Sequence, residues 1–512
     1  MSYRCGLLLL CPLTLLCTCG RAPEPPAETT EAPPNIVIFY IDDLGYGDLG
    51  SYGATGVATP NVDRLAAAGT RFTDAHCGAA TCTPSRYSLL TGEYAFRRNA
   101  AVLEGSDPLL IDTNQLTLPG MLRQAGYATG VVGKWHLGLG DGTLDWNEKI
   151  APGPLEVGFD YCYLIPATGD RVPTVYVENH RILGLDPADP LRISYGKKIG
   201  DEPTGRENPE LLRYAADNQH ASSIVNGVSR IGFQTGGKSA YWTDEDFPDT
   251  LGRRAKAFVR EHREEPFFLF YSFHDIHVPR LPHPRFRGKS EQGWRGDAIV
   301  QMDWMVGDLL QELDRLGLTE NTLVIFTSDN GPALKEGYAD QAAELIGDHR
   351  PAGPYRGGKY SAYEAGTRVP TIVRWPDEVA AGRTSAALLT QLDLFASLAE
   401  LVDVNLPKGT AVDSEEQLFA WLGRDTTGQD IIVEESYTLS LRQGNWKYIR
   451  PRDPGTRFDW IKYDKEIESG LSAEAQLFNL SEDPGEQRDL LEEQAEIAAE
   501  MEATLRQIEE RK

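Results

Sequence analysis

Four strongly apolar segments, each followed closely by charged or amide residues, constrain the fold of this chain more than any other feature. Short apolar runs rich in β-branched and aromatic residues predict strands that are buried on both faces. The predicted strands and the polar residues after them are Asn35–Ile41 with Asp42 and Asp43, Ala128–Val132 with Lys134 and His136, Phe267–Phe273 with His274 and His277, and Thr322–Thr327 with Asp329 and Asn330.

Segments with helical periodicity separate these strands. They are Val62–Ala68, Leu118–Ala125, Thr250–Glu261 and Ala298–Leu316. This alternation predicts an α/β domain with a large, mostly parallel mixed sheet sandwiched by helices. Ligands of open α/β sheets bind outside the carboxyl ends of the strands. If the four strands are neighbours, their terminal side chains therefore share one crevice; otherwise the polar residues only mark where each strand stops.

Three carboxylates and one amide among these residues suggest a metal site. Asp42, Asp43, Asp329 and Asn330 offer hard oxygen ligands, which suit Ca²⁺ or Mg²⁺ better than zinc. Each pair by itself is also common in turns and helix caps. Asn330 takes a position where a two-metal phosphatase would be expected to use a histidine, so we expect a single metal ion.

The first residues predict export. Arg4 precedes an apolar run from Leu7 to Leu16, which is typical of a signal peptide over residues 1–19. The stretch from Leu16 to Cys19 resembles a bacterial lipobox with Cys19 as the acylated residue, and plain secretion is the alternative. Residues 20–34 read as a flexible linker. The predicted location is the periplasm or the cell surface, with any membrane attachment made by lipid only.

The charge of the chain excludes one class of partner. Its net charge is −26, with 76 acidic residues against 50 Lys and Arg. Nucleic acid is therefore not expected as a partner, because binding it requires an excess of basic residues that displaces counterions. An anionic substrate would need a metal ion or a tight basic cluster to reverse the local field.

Three cysteines remain after the export segment: Cys77, Cys82 and Cys162. They form neither a disulfide framework nor a zinc pattern. Whether Cys77 and Cys162 pair is open. At least one cysteine must stay unpaired within the chain, and in an exported protein an odd cysteine calls for a chemical explanation.

Cys82 opens the stretch Cys-Thr-Pro-Ser-Arg-Tyr-Ser-Leu-Leu-Thr-Gly, in which Pro84 suits a first helical turn. This stretch resembles the type I sulfatase signature C-x-P-S-R with its Leu-Thr-Gly ending. Such sulfatases belong to the alkaline-phosphatase superfamily, and the chain resembles bacterial arylsulfatase-like carbohydrate sulfatases in particular. Further segments that match the family are Thr59–Leu65, Gly133–Gly138, Ser328–Pro332, Arg356–Lys359, Glu364–Pro370 and Leu477–Leu480.

The resemblance implies a modified nucleophile. In this family dedicated formylglycine-generating machinery recognises C-x-P-x-R in the unfolded chain and oxidises the cysteine, here Cys82, to formylglycine. One hydroxyl of the hydrated aldehyde then attacks sulfur, and the second later expels sulfate. The resemblance also implies Ca²⁺ as the metal, with Asp42, Asp43, Asp329, Asn330 and modified Cys82 as its ligands.

Roles for the remaining residues follow by position from the same resemblance. Arg86 and Lys134 should hold the hydrate and neutralise sulfate oxygens. His136, two residues beyond Lys134 on a segment expected to be extended, and Asp329 should assist proton transfer from the nucleophile. His277 and Lys359 should face the leaving oxygen, and His277 is preferred over His274 because it fits the H-x-P pattern.

We expect a catalytic domain over residues 35–404 and a smaller C-terminal α+β domain over residues 405–512. The second contains strands at Asp430–Glu434 and Trp446–Ile449 in a short antiparallel sheet and a helix beyond Leu490. The predicted reaction is removal of sulfate from a sulfated sugar or glycan. The alternatives are a phosphate or phosphonate ester hydrolase that uses the same modified cysteine and a non-enzymatic, calcium-stabilised relic.

Overall fold

A computed structural model describes residues 1–3 and 33–511 of the chain. The predicted signal peptide, most of the linker and the proposed lipidation residue Cys19 lie outside the described residues. The strands are β1 (Asn35–Ile41), β2 (Thr70–Phe72), β3 (Ala75–His76), β4 (Ala128–Lys134), β5 (Tyr161–Ile165), β6 (Val177–Glu178), β7 (Arg181–Ile182), β8 (Arg192–Ser194), β9 (Ile224–Val225), β10 (Val228–Ser229), β11 (Phe233–Thr235), β12 (Phe267–Ser272), β13 (Thr322–Ser328), β14 (Thr371–Arg374), β15 (Arg383–Ser385), β16 (Leu389–Thr390), β17 (Ile431–Glu435), β18 (Leu439–Gln443), β19 (Trp446–Ile449) and β20 (Gln476–Asn479). The α-helices are α1 (Pro60–Ala67), α2 (Cys82–Thr91), α3 (Leu118–Gln124), α4 (Phe247–Glu261), α5 (Gly293–Arg315), α6 (Leu394–Leu401), α7 (Leu418–Trp421), α8 (Asp459–Tyr463) and α9 (Ala495–Glu510).

A ten-stranded mixed sheet organises the chain, in the order β15-β2-β14-β13-β1-β12-β4-β5-β6-β7. Its centre, from β13 through β1, β12 and β4 to β5, is entirely parallel. The strands that flank this centre, β14 and β6, pair antiparallel with β13 and β5. The mostly parallel sheet that the sequence predicts is confirmed, and the four strands that end in polar residues are direct neighbours.

Helices cover both faces of this sheet, as strands buried on both sides require. Side chains alternate along β1, so Ile36 and Ile38 join a hydrophobic core that includes helices α2, α3 and α6. Val37 and Phe39 point to the opposite face and join a second core with α1, α4 and α5. The strand is fully buried throughout, which explains its unbroken apolar sequence.

The C-terminal part contains the predicted short antiparallel sheet, in the order β17-β18-β19-β20. Helix α9 packs on it through Met501 and Leu505, which share a small core with Leu441 and Leu477. The strands and helices named in the sequence are present with ends within about five residues of those predicted. Residues Pro33–Lys512 form one compact unit, and the domain boundary near residue 404 stays a prediction.

No helix within residues 1–3 and 33–511 combines the length and the apolar character needed to cross a membrane.

Candidate active site

The carboxyl ends of β13, β1 and β4 bring their polar residues into one buried cluster. The register pairs Ile41 with Ser328, so Asp42 and Asp329 leave the sheet side by side. Lys134, the last residue of β4, forms an ion pair with Asp42, and its Nζ lies 3.8 Å from Asp329 Oδ2. All three side chains are inaccessible to solvent. The convergence expected from adjacent strands is therefore present.

Arg86 on helix α2 joins this cluster from the face of the sheet that α2 covers. Its Nε and Nη2 donate to Asp329 Oδ2 at 2.9 and 2.7 Å, and its guanidinium lies over the ring of Tyr40. Burial acts to raise the pKa of Asp329, but Arg86, Lys134 and Lys359 outweigh it and hold the pKa below its usual value. Asp329 is thus kept as a carboxylate.

Lys359 and His277 approach Asp43 from the other side. Lys359 Nζ lies 2.9 Å from Asp43 Oδ1 and 3.5 Å from the buried carboxylate of Glu336. His277 Nε2 lies 3.9 Å from Asp43 Oδ2, while His277 Nδ1 lies 2.7 Å from the Val278 carbonyl oxygen. Burial, together with Lys359, lowers the pKa of His277 well below its usual value, so its ring is neutral and donates from Nδ1.

His274 occupies a different environment. Its ring packs edge-on against Phe247 at 5.2 Å, and burial lowers its pKa to about 3. His277 lines the cavity described below, whereas His274 does not. Of the two histidines, His277 is therefore the one that lines the cavity, and its catalytic role stays a prediction.

The oxygen donors fit a hard divalent cation. Asp42 Oδ1 and Asn330 Oδ1 are buried and accept no hydrogen bond, although Asn330 Nδ2 donates to Asp43 Oδ1 at 2.7 Å. Burial and the neighbouring Asp329 raise the pKa of Asp42 well above its usual value. A bound cation removes both penalties, because it accepts the unpaired lone pairs and neutralises the carboxylates. The predicted ligand set and this geometry are compatible.

Cys82 is the first residue of helix α2, whose ten residues are all buried. Burial raises the pKa of the Cys82 thiol, while Lys134 and Lys359 act in the opposite direction. The residue lines a cavity of ≈ 400 Å³ together with His277 and Lys359. Cys77, Cys82 and Cys162 are all free and buried, so the cysteines of the described residues form no disulfide.

His136 reaches the site by a route that differs from the prediction. The extended path expected through this residue is wrong, because β4 ends at Lys134 and His136 has a φ of 56°. His136 Nε2 lies 3.0 Å from the Leu103 carbonyl oxygen, while Nδ1 is buried without a partner. Burial and Lys134 lower the pKa of His136 well below its usual value. The neutral ring thus donates from Nε2 and keeps a lone pair on Nδ1.

Backbone strain accompanies the site. Asp43, His136 and Tyr360 all have positive φ, at 61°, 56° and 72°. Non-glycine residues enter this region at a cost of about 1–3 kcal/mol each, and they do so mainly where the surroundings require a special side-chain direction. One of the three is a predicted metal ligand, one a predicted base, and the third follows Lys359.

Several residues that line the cavity carry no motif, and the sequence assigned none of them a catalytic or metal-binding role. They are Asp170, Arg171, His220, Glu336, Tyr360, Tyr437, Trp460 and Lys465. Arg171 and His220 share the carboxylate of Asp170, at 2.9 and 3.3 Å. They come from loops and from the C-terminal part of the chain, where the sequence has no periodic pattern that could indicate them.

Comparison with known proteins identifies the family of this chain. The sulfatase family profile matches residues 34–404. An N-acetylgalactosamine-6-O-sulfatase of Bacteroides thetaiotaomicron is 49% identical over 509 residues, covering 99% of both chains. The steryl-sulfatase of Mus musculus is 33% identical over 437 residues, covering 80% of this chain and 68% of its own.

A solved Bacteroides thetaiotaomicron structure, from work on the metabolism of multiple glycosaminoglycans, has a TM-score of 0.91 and 50% identity over 94% of this chain and all of its own. The match extends from the motifs to the whole fold. The chain belongs to the sulfatase family.

Proposed function

We propose that this protein hydrolyses sulfate esters of a carbohydrate, with 6-O-sulfated N-acetylgalactosamine as the first substrate to test. The single observation that carries the proposal is the position of Cys82. It lies at the start of a buried helix, in a cavity that also contains Lys359 and His277, beside carboxylates suited to a cation. The choice of sugar follows the relative that is 49% identical and is named for that substrate.

The proposed nucleophile is formylglycine made from Cys82. The burial of its motif supports modification before folding, because Pro84 and Arg86 are inaccessible in the folded chain. Machinery that recognises these side chains must therefore meet them in the unfolded chain. Once formed and hydrated, the residue would supply a hydroxyl nucleophile for sulfur.

The proposed metal is Ca²⁺, held by Asp42, Asp43, Asp329, Asn330 and the modified residue 82. When bound, it would supply positive charge for the sulfate oxygens and for the deprotonated nucleophile. Two unpaired oxygens, Asp42 Oδ1 and Asn330 Oδ1, support this ligand set.

Lys134, Arg86 and His136 act on the nucleophile side in this proposal. Arg86 orients Asp329 through two hydrogen bonds to one carboxylate oxygen. Lys134 adds a buried positive charge that stabilises the negative charge developing on sulfate. His136 Nδ1 is a base with a free lone pair, and Asp329 is the second acceptor for the nucleophile's proton.

His277 and Lys359 act on the leaving-group side. Burial acts to lower the pKa of Lys359, but Asp43 and Glu336 outweigh it and raise the pKa well above its usual value, so Lys359 stays cationic. Because the neutral His277 ring donates from Nδ1 to Val278, its Nε2 carries a lone pair. Lys359 therefore holds the proton that faces the leaving oxygen, and His277 Nε2 can pass a proton only after it has taken one up. Together they would stabilise a sugar alkoxide as it leaves.

We further propose that the protein is exported to the periplasm or the cell surface and that lipid on Cys19 attaches it there. The apolar run after Arg4 and the lipobox-like sequence support this proposal. Labelling with a fatty-acid analogue, compared between the full chain and a Cys19→Ala variant, tests it.

A substrate screen tests the proposed reaction. Protein produced together with formylglycine-generating machinery is incubated with sulfated mono- and disaccharides and, in parallel, with phosphate and phosphonate esters. We expect sulfate release, with the 6-O-sulfated N-acetylgalactosamine turned over fastest. Turnover of phosphorus esters without release of sulfate from any sulfate ester would replace the proposal with the phosphohydrolase alternative.

A further inference from the structure

One wall of the cavity comes from the C-terminal part of the chain. Helix α8 carries Trp460, and Lys465 follows the helix by two residues; both line the cavity that holds Cys82. The segment is docked by a small hydrophobic cluster in which Phe458 and Ile461 pack against Tyr360. Residues more than 370 positions after Cys82 thus share its cavity.

Two aromatic neighbours fix the direction of the Trp460 ring. Tyr360 lies 4.9 Å from it at an interplanar angle of 76°, and Tyr437 lies 6.2 Å from it at 81°. Tyr360 is in turn held by Ser436, whose hydroxyl donates to its carbonyl oxygen at 2.7 Å. Near-perpendicular contacts of this kind hold a ring in place before a ligand arrives. The indole remains partly exposed.

Lys465 is tied to the catalytic lysine through one buried carboxylate. Glu336 lies 3.2 Å from Lys465 and 3.5 Å from Lys359, and it also accepts from the Tyr360 hydroxyl at 3.3 Å. The backbone N–H of Lys465 donates to the Trp460 carbonyl oxygen at 3.1 Å, which fixes the backbone of the two residues relative to each other. Glu336 Oε1 accepts no hydrogen bond from the protein.

We propose that Trp460 and Lys465, together with Glu336, recognise the sugar ring that carries the sulfate. Trp460 stacks on the apolar face of the ring, and Lys465 and Glu336 bind hydroxyl groups on its edge. Ligand cavities commonly combine an aromatic wall with a few fixed polar groups in this way. The inference rests on the proposed carbohydrate sulfatase activity, and it makes the C-terminal part a determinant of specificity.

Variants at Trp460 test the inference. Sulfate release from N-acetylgalactosamine 6-sulfate is measured for the parent, Trp460→Ala, Trp460→Phe and Tyr463→Ala. Tyr463 is the matched control, because it lies on the same helix but is 67% exposed and does not line the cavity. We expect Trp460→Ala to raise KM by about tenfold or more, with Trp460→Phe and Tyr463→Ala within about threefold of the parent.

A second readout separates ring recognition from damage to the sulfate site. Inhibition by N-acetylgalactosamine should weaken in Trp460→Ala and in Lys465→Met, whereas inhibition by inorganic sulfate should not change. If the parent is active and Trp460→Ala has an unchanged KM, this inference alone is overturned. Equal losses in Trp460→Ala and Tyr463→Ala would also overturn it, as would parallel loss of sulfate inhibition. A parent that releases no sulfate from any sugar would overturn the proposed function and this inference with it.

Discussion

Asp42 and Asn330 each leave one buried oxygen atom without a hydrogen bond, next to two further carboxylates. A buried acceptor without a hydrogen bond lowers the stability of the fold, and the repulsion between neighbouring carboxylates lowers it further. Lys134 and Lys359 offset part of it from two sides. The unfavourable free energy that remains is concentrated at this site. Binding of a metal ion there should therefore raise the stability of the fold.

Removal of calcium should therefore destabilise the protein. We expect the Tm measured by calorimetry to fall after treatment with EGTA and to recover when Ca²⁺ is restored. Saturation at 100 times the Kd corresponds to about 2.7 kcal/mol of stabilisation. Asp42→Asn should shrink the calcium-dependent shift, whereas Asp393→Asn should leave it intact, because buried Asp393 accepts a hydrogen bond from Gln429 and is not in the proposed ligand set. A Tm that is insensitive to Ca²⁺ in the parent would contradict the ligand set.

Lys134 should contribute to rate more than to binding. Its ammonium is buried between Asp42 and Asp329, where a positive charge acts strongly on the charge that develops on sulfate. Lys134→Met should lower kcat by about 10²- to 10³-fold with a smaller change in KM. Steady-state kinetics check this, with far-ultraviolet circular dichroism to show that the fold is kept. A variant with nearly normal kcat would remove Lys134 from the proposed mechanism.

Strand β17 connects the C-terminal sheet to the segment that leads into Cys82. The Ala80 N–H donates to the Glu435 carbonyl oxygen at 2.7 Å. Beside this contact, Lys447 of β19 lies 3.1 Å from Glu364, 2.9 Å from Glu434 and 3.7 Å from Glu486. Four acids and four bases form this buried network: Asp74, Glu364, Glu434, Glu486, His76, Arg368, Arg442 and Lys447.

Breaking this network should loosen the contact between the two sheets. Lys447→Met leaves buried carboxylates unpaired and should cost about 3–5 kcal/mol of unfolding free energy. The exposed pair between Arg488 and Glu493 is the matched control, and Arg488→Ala should change the unfolding free energy only slightly. Urea unfolding measures both. Equal effects of the two substitutions would show that the network contributes no more than a surface ion pair.

Stability of the whole molecule should decrease toward alkaline pH, in part through Asp393. Burial raises the pKa of Asp393 to about 8, against about 4 in an unfolded chain. Since the folded state holds the proton more tightly, its stabilising effect is complete below pH 4 and is lost as pH rises through 8. Asp393→Asn should therefore lose less unfolding free energy between pH 6 and pH 9 than the parent. A larger loss in Asp393→Asn than in the parent would contradict a raised pKa of Asp393 in the folded state.

Motif and strand pattern in the sequence were enough to predict the large, mostly parallel sheet and to name polar residues at the carboxyl ends of its central strands, whose catalytic roles stay predictions. The reason is physical: strands buried on both faces need unbroken apolar runs, and Asp42 and Asp329 follow such runs directly. Trp460, Lys465 and Glu336 could not be predicted, because they sit in loops or a short helix and reach the cavity only through tertiary packing. The positive φ of His136 could not be predicted either, because nothing in the sequence around Lys134 indicates a left-handed residue.

The most direct test of the account relates chemistry at residue 82 to turnover. Preparations with different degrees of conversion are obtained by varying co-expression of formylglycine-generating machinery. Peptide mass spectrometry gives the converted fraction, and sulfate release gives kcat per mole of protein. We expect kcat to rise in proportion to the converted fraction and to vanish in Cys82→Ala, with severe loss in Cys82→Ser. Full sulfate release from protein whose Cys82 is still a thiol would contradict the proposed nucleophile.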